Sequence, residues 1–307
     1  MKIEIGTNEA GQRLDKFLRK YFKDVPLSAI FKALRKGDIR VNGTKKKENY
    51  ALELGDEIEV RYLQSKKETN TSKEVNFIKV NSGSMKITFE DDNILVVEKW
   101  PGVLVHPDQK GAEPSLTDYV LSYLNDKGDY LPEKELTFTP APCNRLDRNT
   151  SGIVIFAKNQ YIQECLIHQM QTKEFKKTYL AVVEGHLKKL NGTIDAPITR
   201  KENSIIERCV AENGEKSITH YKVLKQNFEK NYDIVECLLE TGRTHQIRVH
   251  LSYIGHPLIG DTLYGNNSKY ISRQALHAYK VEFIHPITNK LTQFTSDLPK
   301  DFVSFII

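Results

Sequence analysis

The 307-residue chain is poor in the features that would place it in a membrane, a secretory route or a cofactor enzyme class. It has no run of about 18 apolar residues, so no helical membrane span is expected. Its N-terminus shows no apolar leader segment, which points to the cytoplasm. Cysteine is sparse, and Cys143, Cys165, Cys209 and Cys237 form no Cys-x-x-Cys pair and have no His partner at zinc-site spacing. They read as reduced, structural thiols. P-loop and dinucleotide-type glycine motifs are absent. What remains, 39% hydrophobic and 28% charged, is the usage of a globular protein with room for more than one domain.

Charge is unevenly placed. The net charge is +5, yet residues 1 to 47 hold 9 Lys and 4 Arg against 5 acids. Basicity concentrated in one segment suits an appended nucleic-acid-binding module, although many charge runs are only solvated faces. Within it, Leu14, Phe17, Leu18 and Tyr21 recur at helical spacing, with Arg13, Lys16, Arg19, Lys20 and Lys23 between them. Ser28 is the expected N-cap of a second helix carrying Ile30, Phe31 and Leu34, closed by Gly37. Ile39-Arg40-Val41 before Asn42-Gly43 reads as a strand entering a tight turn, and Ile58 to Tyr62 as a closing strand. Residues 64 to 85 have linker composition, with Phe77, Ile78 and Val80 as a short ordered piece inside it.

The rest of the chain is organised around residues 143 to 152, Cys-Asn-Arg-Leu-Asp-Arg-Asn-Thr-Ser-Gly, which run directly into the apolar stretch Ile153 to Ala157. Five consecutive apolar residues rich in β-branched types predict a buried strand, so the decamer is a polar loop feeding it. Such a loop can mount a reactive group, here Asp147, on a rigid element. The same residues equally suit a turn whose Asp bonds its own backbone. Around this centre, Ile94 to Lys99 and Val103 to Pro107 are expected strands joined by a Trp100-Pro101-Gly102 turn. Ser115 to Asn125 and Tyr161 to Lys173 are expected helices, while Lys177 to Gly185, Ser217 to Leu224, Tyr232 to Glu240 and Val281 to Phe283 are expected strands. The pattern Ile247, Leu251, Ile254 places Arg248 near a helix start. His245, His250 and His256, spaced five and six apart, do not match a standard helical metal-ligand pair.

Four stretches resemble the RluA-type pseudouridine synthases. Arg145-Leu146-Asp147-Arg148-Asn149-Thr150-Ser151-Gly152 is similar to the family's His-Arg-Leu-Asp-x-x-Thr-Ser-Gly, with Asn144 standing where the family usually has His. The segment from Val97 to Pro107 resembles Val-x-Lys-Pro-x-Gly-x-x-Val-His-Pro, with Trp100 inserted. Lys177 to Gly185 resembles Lys-x-Tyr-x-Ala-x-Val-x-Gly, and residues 241 to 261 resemble Thr-Gly-Arg-x-His-Gln-Ile-Arg-x-His followed by Gly-His-Pro-x-x-Gly-Asp. The two basic helices and short strands over residues 11 to 63 resemble the S4 RNA-binding domain.

This resemblance implies an α+β protein: a pseudouridine synthase fold, with a central mixed, mostly antiparallel sheet, flanking helices and a catalytic cleft, plus a small α/β S4-like domain. The expected division is 1–63 for the S4-like domain, 64–85 for the linker and 86–307 for the catalytic domain. It also implies roles. Asp147 is the nucleophile or acid–base group, Arg248 pairs with it, and Tyr179 stacks on uracil and moves a proton. Arg145 fills the gap left by a flipped uridine, Leu276 packs the pocket floor, and His245 contacts substrate. A strand tyrosine is otherwise most often core. The implied partner is RNA, foremost 23S ribosomal RNA, acted on by a monomer without metal or cofactor. Two alternatives remain: action on tRNA, and a non-catalytic RNA-binding or ribosome assembly factor. A glycosidase is a rival on chemical grounds, but it needs a second carboxylate, which no motif supplies beside Asp147.

Overall fold

The computed structural model describes residues 1–62, 77–108 and 113–306. Most of the linker expected at 64–85 lies outside them. The N-terminal unit contains β1 (Lys2–Glu4), α1 (Leu14–Tyr21), α2 (Leu27–Lys36), β2 (Ile39–Val41) and β3 (Glu57–Val60), with strand order β1-β3-β2. Leu14, Phe17 and Leu18 of α1 and Ile30, Ala33 and Leu34 of α2 bury one stripe each against the small sheet, which leaves Lys16, Arg19, Lys32, Arg35 and Lys36 exposed. Asn42 and Gly43 both take positive φ, as a tight turn after β2 requires. Ser28 is not the cap expected of it. Helix α2 starts two residues earlier than a Ser28 cap would place it, behind Pro26, whose extended ψ of 138° and carbonyl, accepting from Ala29 and Ile30, open the first turn without a side chain. Gly37 ends the helix in the left-handed region as anticipated.

The larger unit contains β4 (Lys86–Glu90), β5 (Ile94–Lys99), α3 (Leu116–Lys127), β6 (Ala141–Pro142), β7 (Ser151–Ala157), α4 (Gln160–Gln171), β8 (Lys176–Glu184), β9 (Asn191–Asp195), β10 (Ile198–Arg200) and β11 (Arg208–Val210). It continues through β12 (Ile218–Asn227), β13 (Tyr232–Leu239), α5 (Gln246–Tyr253), β14 (Leu276–Ile284), β15 (Leu291–Thr295) and α6 (Lys300–Ile306). The main sheet runs β4-β5-β7-β14-β8-β13-β12-β9, with β6 on β7 and β15 on β14. Every pairing in it is antiparallel except β7 with β14, so the sheet is mixed and mostly antiparallel. Strand β7, apolar throughout after Gly152, is buried at every position. No helix among the described residues is long and apolar enough to cross a membrane.

Two local expectations resolve differently. Residues 103 to 107 do not form a strand. Their carbonyls are already engaged: Val103 accepts from the Lys99 ammonium, and Leu104 and Val105 accept from the first amides of α3. A strand partner would compete for the same oxygens. Phe77 to Val80 are ordered against α3, where the amides of Ile78 and Val80 donate to Asp118 Oδ1 and Ser122 Oγ. The small unit also meets the large one directly. Buried Glu9 accepts from the Thr137 amide and hydroxyl, Gln12 donates to Gln160 at 2.7 Å, and Leu136 packs against the small unit's core.

Candidate active site

At the junction of β7 and β14 the chain brings its distant motifs together. Gly152 lies opposite Ala278 in the parallel pairing. A Cβ on Gly152 would sit 2.2 Å from the Ala278 carbonyl oxygen, and φ is +119°, so only glycine lets the two strands close here. That close approach holds the loop before β7 beside the start of β14. The loop is tied down further: Arg273 Nη1 donates to the Asn149 carbonyl and Gln274 Nε2 to Thr150 Oγ1. Asn144 fastens the other end, donating from Nδ2 to the Ile153 carbonyl while Oδ1 accepts from the Ile155 amide. An amide supplies one donor and one acceptor at once, so it clamps the loop to β7 where the resembling motif carries His.

Asp147 does not spend its carboxylate on its own turn. The turn is closed by backbone, Thr150 N–H to the Asp147 carbonyl, while Oδ2 accepts from Arg248 Nη1 at 3.1 Å. Arg248, on the first turn of α5, gives its remaining edge to Asp261: Nε to Oδ2 at 2.7 Å and Nη2 to Oδ1 at 2.9 Å. One guanidinium thus bridges two carboxylates that stand in very different surroundings. The Asp261 side chain is 1% exposed and that of Asp147 20%. Asp261 Oδ1 also accepts from the Leu263 and Tyr264 amides. Its role is spent on orienting Arg248, a fork-to-fork pairing that fixes the guanidinium plane.

The Tyr264 ring lies under that guanidinium, 5.0 Å from centroid to Cζ, and its hydroxyl is 2.8 Å from His245 Nδ1. His245 Nε2 is 3.9 Å from Asp147 Oδ2, and burial lowers the His245 pKa, which keeps the ring neutral near pH 7. His250 and His256 turn elsewhere: His250 meets Thr219 and the Ala196 carbonyl, and His256 the Glu184 carbonyl. Tyr179 lines the cleft from β8 and is also part of the main core. Burial, then the nearby Asp147 charge, pushes its hydroxyl pKa upward, so the phenol stays protonated.

Asp147, Tyr179, His245 and Arg248 line a cleft of about 600 Å³. All six residues singled out in the sequence reach it: Arg145, Asp147, Tyr179, His245, Arg248 and Leu276. Arg145 is exposed and Leu276 is buried. Three side chains were not singled out. Asp261 and Tyr264 sit in the Gly-Asp stretch after α5, and the sequence signal was an acid 13 residues beyond the arginine. The third is Lys99, 1% exposed, whose ammonium donates to the carbonyls of Trp100, Val103 and Arg148. A lysine at the end of an apolar strand was the available signal, but its acceptors are set by chain crossing rather than by sequence.

Residues 93–253 match the family model described as RNA pseudouridylate synthase, and residues 12–58 match that of the S4 domain. The chain is 34% identical over 301 residues to an uncharacterized RNA pseudouridine synthase of Bacillus subtilis (strain 168), covering 98% of this chain and 94% of that protein. It is 34% identical over 310 residues to ribosomal large subunit pseudouridine synthase C of Escherichia coli (strain K12), covering 96% and 92%. It is 31% identical to ribosomal large subunit pseudouridine synthase D of Xanthomonas campestris, covering 95% and 87%. Among solved structures, human RNA pseudouridylate synthase domain containing 1 superposes with a TM-score of 0.58 at 24% identity over 72% of this chain and 86% of that one, a likeness of fold.

Proposed function

The chain belongs to the RNA pseudouridylate synthase family, and on that premise we propose that it isomerises uridines of large-subunit, 23S ribosomal RNA, with Asp147 as its one reactive carboxylate. The reaction breaks the N1–C1′ bond, turns the uracil, joins C5 to C1′, releases the C5 hydrogen to solvent as a proton and leaves N1 carrying a proton in its place. The observation that carries the reading is the unequal pair around Arg248. Both oxygens of Asp261 are occupied in a closed pocket, whereas Asp147 faces the cleft with one oxygen unengaged among the described residues. A glycosidase of the usual kind needs two working carboxylates, one as acid and one as base or nucleophile. Here the second is locked to a cation, which favours single-carboxylate chemistry.

The remaining roles follow from position. Arg248 holds the Asp147 carboxylate in place through its Nη1 hydrogen bond. Tyr179 offers a flat ring to the flipped base and a protonated hydroxyl near the acid. Leu276 floors the pocket, His245 borders it, and exposed Arg145 stands where a flipped nucleotide leaves its stack, a step that costs a few kcal/mol. We place the S4-like domain at 1–63 and the catalytic domain at 86–307, joined by the linker at 64–85, with the chain acting as a monomer on RNA. The exposed cations of α1 and α2 suit a phosphate backbone. The relatives named for the ribosomal large subunit, similar over nearly the whole chain including this unit, support the choice of RNA. Treating deproteinised 23S rRNA and bulk tRNA separately with the protein and mapping new pseudouridines tests it. Modification confined to tRNA would overturn the substrate assignment.

A further inference from the structure

The cleft holds five Lys and Arg side chains: Arg145, Lys173, Lys177, Arg243 and Arg248. Three are neutralised. Arg248 pairs with Asp147 and Asp261, Arg243 with Glu215, and Lys173 with Glu240, which also meets His220. Arg145 and Lys177 have no acceptor among the described residues. For Arg145, at the exposed mouth, water suffices. Lys177 differs, because its ammonium is withdrawn from solvent far enough that burial lowers its pKa from the ordinary lysine value. A half-buried cation without a partner is unfavourable, and such groups concentrate where a ligand completes them.

Its position says what that ligand is. Lys177 and Tyr179 are two residues apart on β8, so both side chains leave the same face of the strand, about 6–7 Å apart along it. Tyr179 lies within reach of the Asp147 charge, and Lys177 stands beside Gly242. A Cβ on Gly242 would come to 3.3 Å from Lys177 Nζ, so the missing side chain keeps the ammonium open to the cleft. A nucleotide whose base lies against Tyr179 carries its phosphate a comparable distance away, across the sugar. We propose that Lys177 receives a backbone phosphate beside the flipped uridine, acting as a positioning residue that seats the base against Tyr179 and over Asp147. This rests on the pseudouridine synthase reading and assigns the substrate group that the cleft's unpaired cation takes.

The test uses a 23S rRNA transcript with tritium at uridine C5, whose release follows isomerisation, with the full-length protein, Lys177→Met and Lys177→Arg. Loss of one charge-assisted contact should raise the KM of Lys177→Met by about 10–100-fold, with the saturating rate far less affected. The slope of log kcat/KM against log salt should fall in magnitude by about 0.7, the share of one phosphate on a single strand. Lys177→Arg should restore most of both. Melting of Lys177→Met should be unchanged or higher, since no native partner is lost. An unaltered salt slope, or a defect confined to the saturating rate, overturns the proposal. The same salt titration by filter binding reads the contact without turnover. Wild-type protein that binds with the Lys177-dependent slope yet releases no tritium would sink the substrate reading and leave the phosphate contact standing.

Discussion

The ammonium of Lys99 donates to the backbone carbonyl of Arg148 at 2.8 Å, one residue past Asp147 and 49 positions along the chain. The same ammonium holds the Trp100 and Val103 carbonyls at 3.1 and 2.9 Å. It therefore staples the turn after β5 to the loop that carries Asp147. Burial pushes its pKa down to about 7, while the nearby Asp147 charge acts in the opposite sense.

A folded pKa below the unfolded lysine value means that the unfolded chain binds more protons between pH 7 and about 10.5, so this group's contribution to stability rises with pH across that window. Lys99→Met should lose that rise. Denaturant unfolding of both proteins at pH 7 and pH 9.5 checks it: the wild type should gain relative to the variant at the higher pH. Equal differences at the two pH values would show that Lys99 keeps its ordinary pKa in the fold.

Asp147→Asn retains an oxygen able to accept from Arg248 but can neither attack nor exchange a proton. Pseudouridine formation should fall by about 10⁴ or more, a scale set by losses of nucleophiles and bases elsewhere, with RNA affinity within a few-fold. Turnover at even a tenth of the normal rate would remove Asp147 from the chemistry.

Asp261→Asn tests the orienting carboxylate. Arg248 would keep Asp147 but lose its fork partner in a closed pocket, where breaking a buried pair typically costs about 3–5 kcal/mol. The remaining contact to Asp147 should leave the loss at the lower end of that range. Thermal melting should drop, and single-turnover rate should fall more than RNA affinity. A stable, fully active Asp261→Asn would mean that Asp147 alone aims the arginine.

Tyr179→Phe separates ring from hydroxyl. The ring's stacking, worth about 1–3 kcal/mol per base, survives the change. A proton-transfer role would show as about 10²–10⁴ in single-turnover rate with RNA binding and melting temperature unchanged. A normal rate would confine Tyr179 to packing and stacking.

The basic N-terminal unit is better tested by substitution than by deletion, because its removal would expose Leu136 and strand Glu9's partner Thr137. Changing Lys45, Lys46 and Lys47 to Ser together should weaken RNA binding and reduce the magnitude of the salt slope by up to about 2, at roughly 0.7 per phosphate on a single strand. A slope equal to wild type would take this loop off the RNA.

Local chemistry was legible in the chain from the start. The β-branched run Ile153 to Ala157 became the buried strand β7, Asn42-Gly43 became a positive-φ turn, and Gly37 ended α2, because period, turn geometry and capping depend on neighbours a few residues apart. The motifs naming Asp147, Tyr179 and Arg248 were likewise contiguous stretches. What they could not disclose was how side-chain charges pair across the fold. Arg248 meets Asp147 across 101 residues and Asp261 across 13. Only the crossing of β7, β14 and α5 made one carboxylate an orienting group and left the other open to the cleft. Val103 to Pro107 had the pattern of a strand and did not become one, because Lys99 and the start of α3 had claimed their carbonyls. A carbonyl drawn towards a side-chain ammonium or a helix's first amides is no longer aimed at a neighbouring strand, and those donors come from anywhere in the chain, so that choice belonged to the tertiary structure.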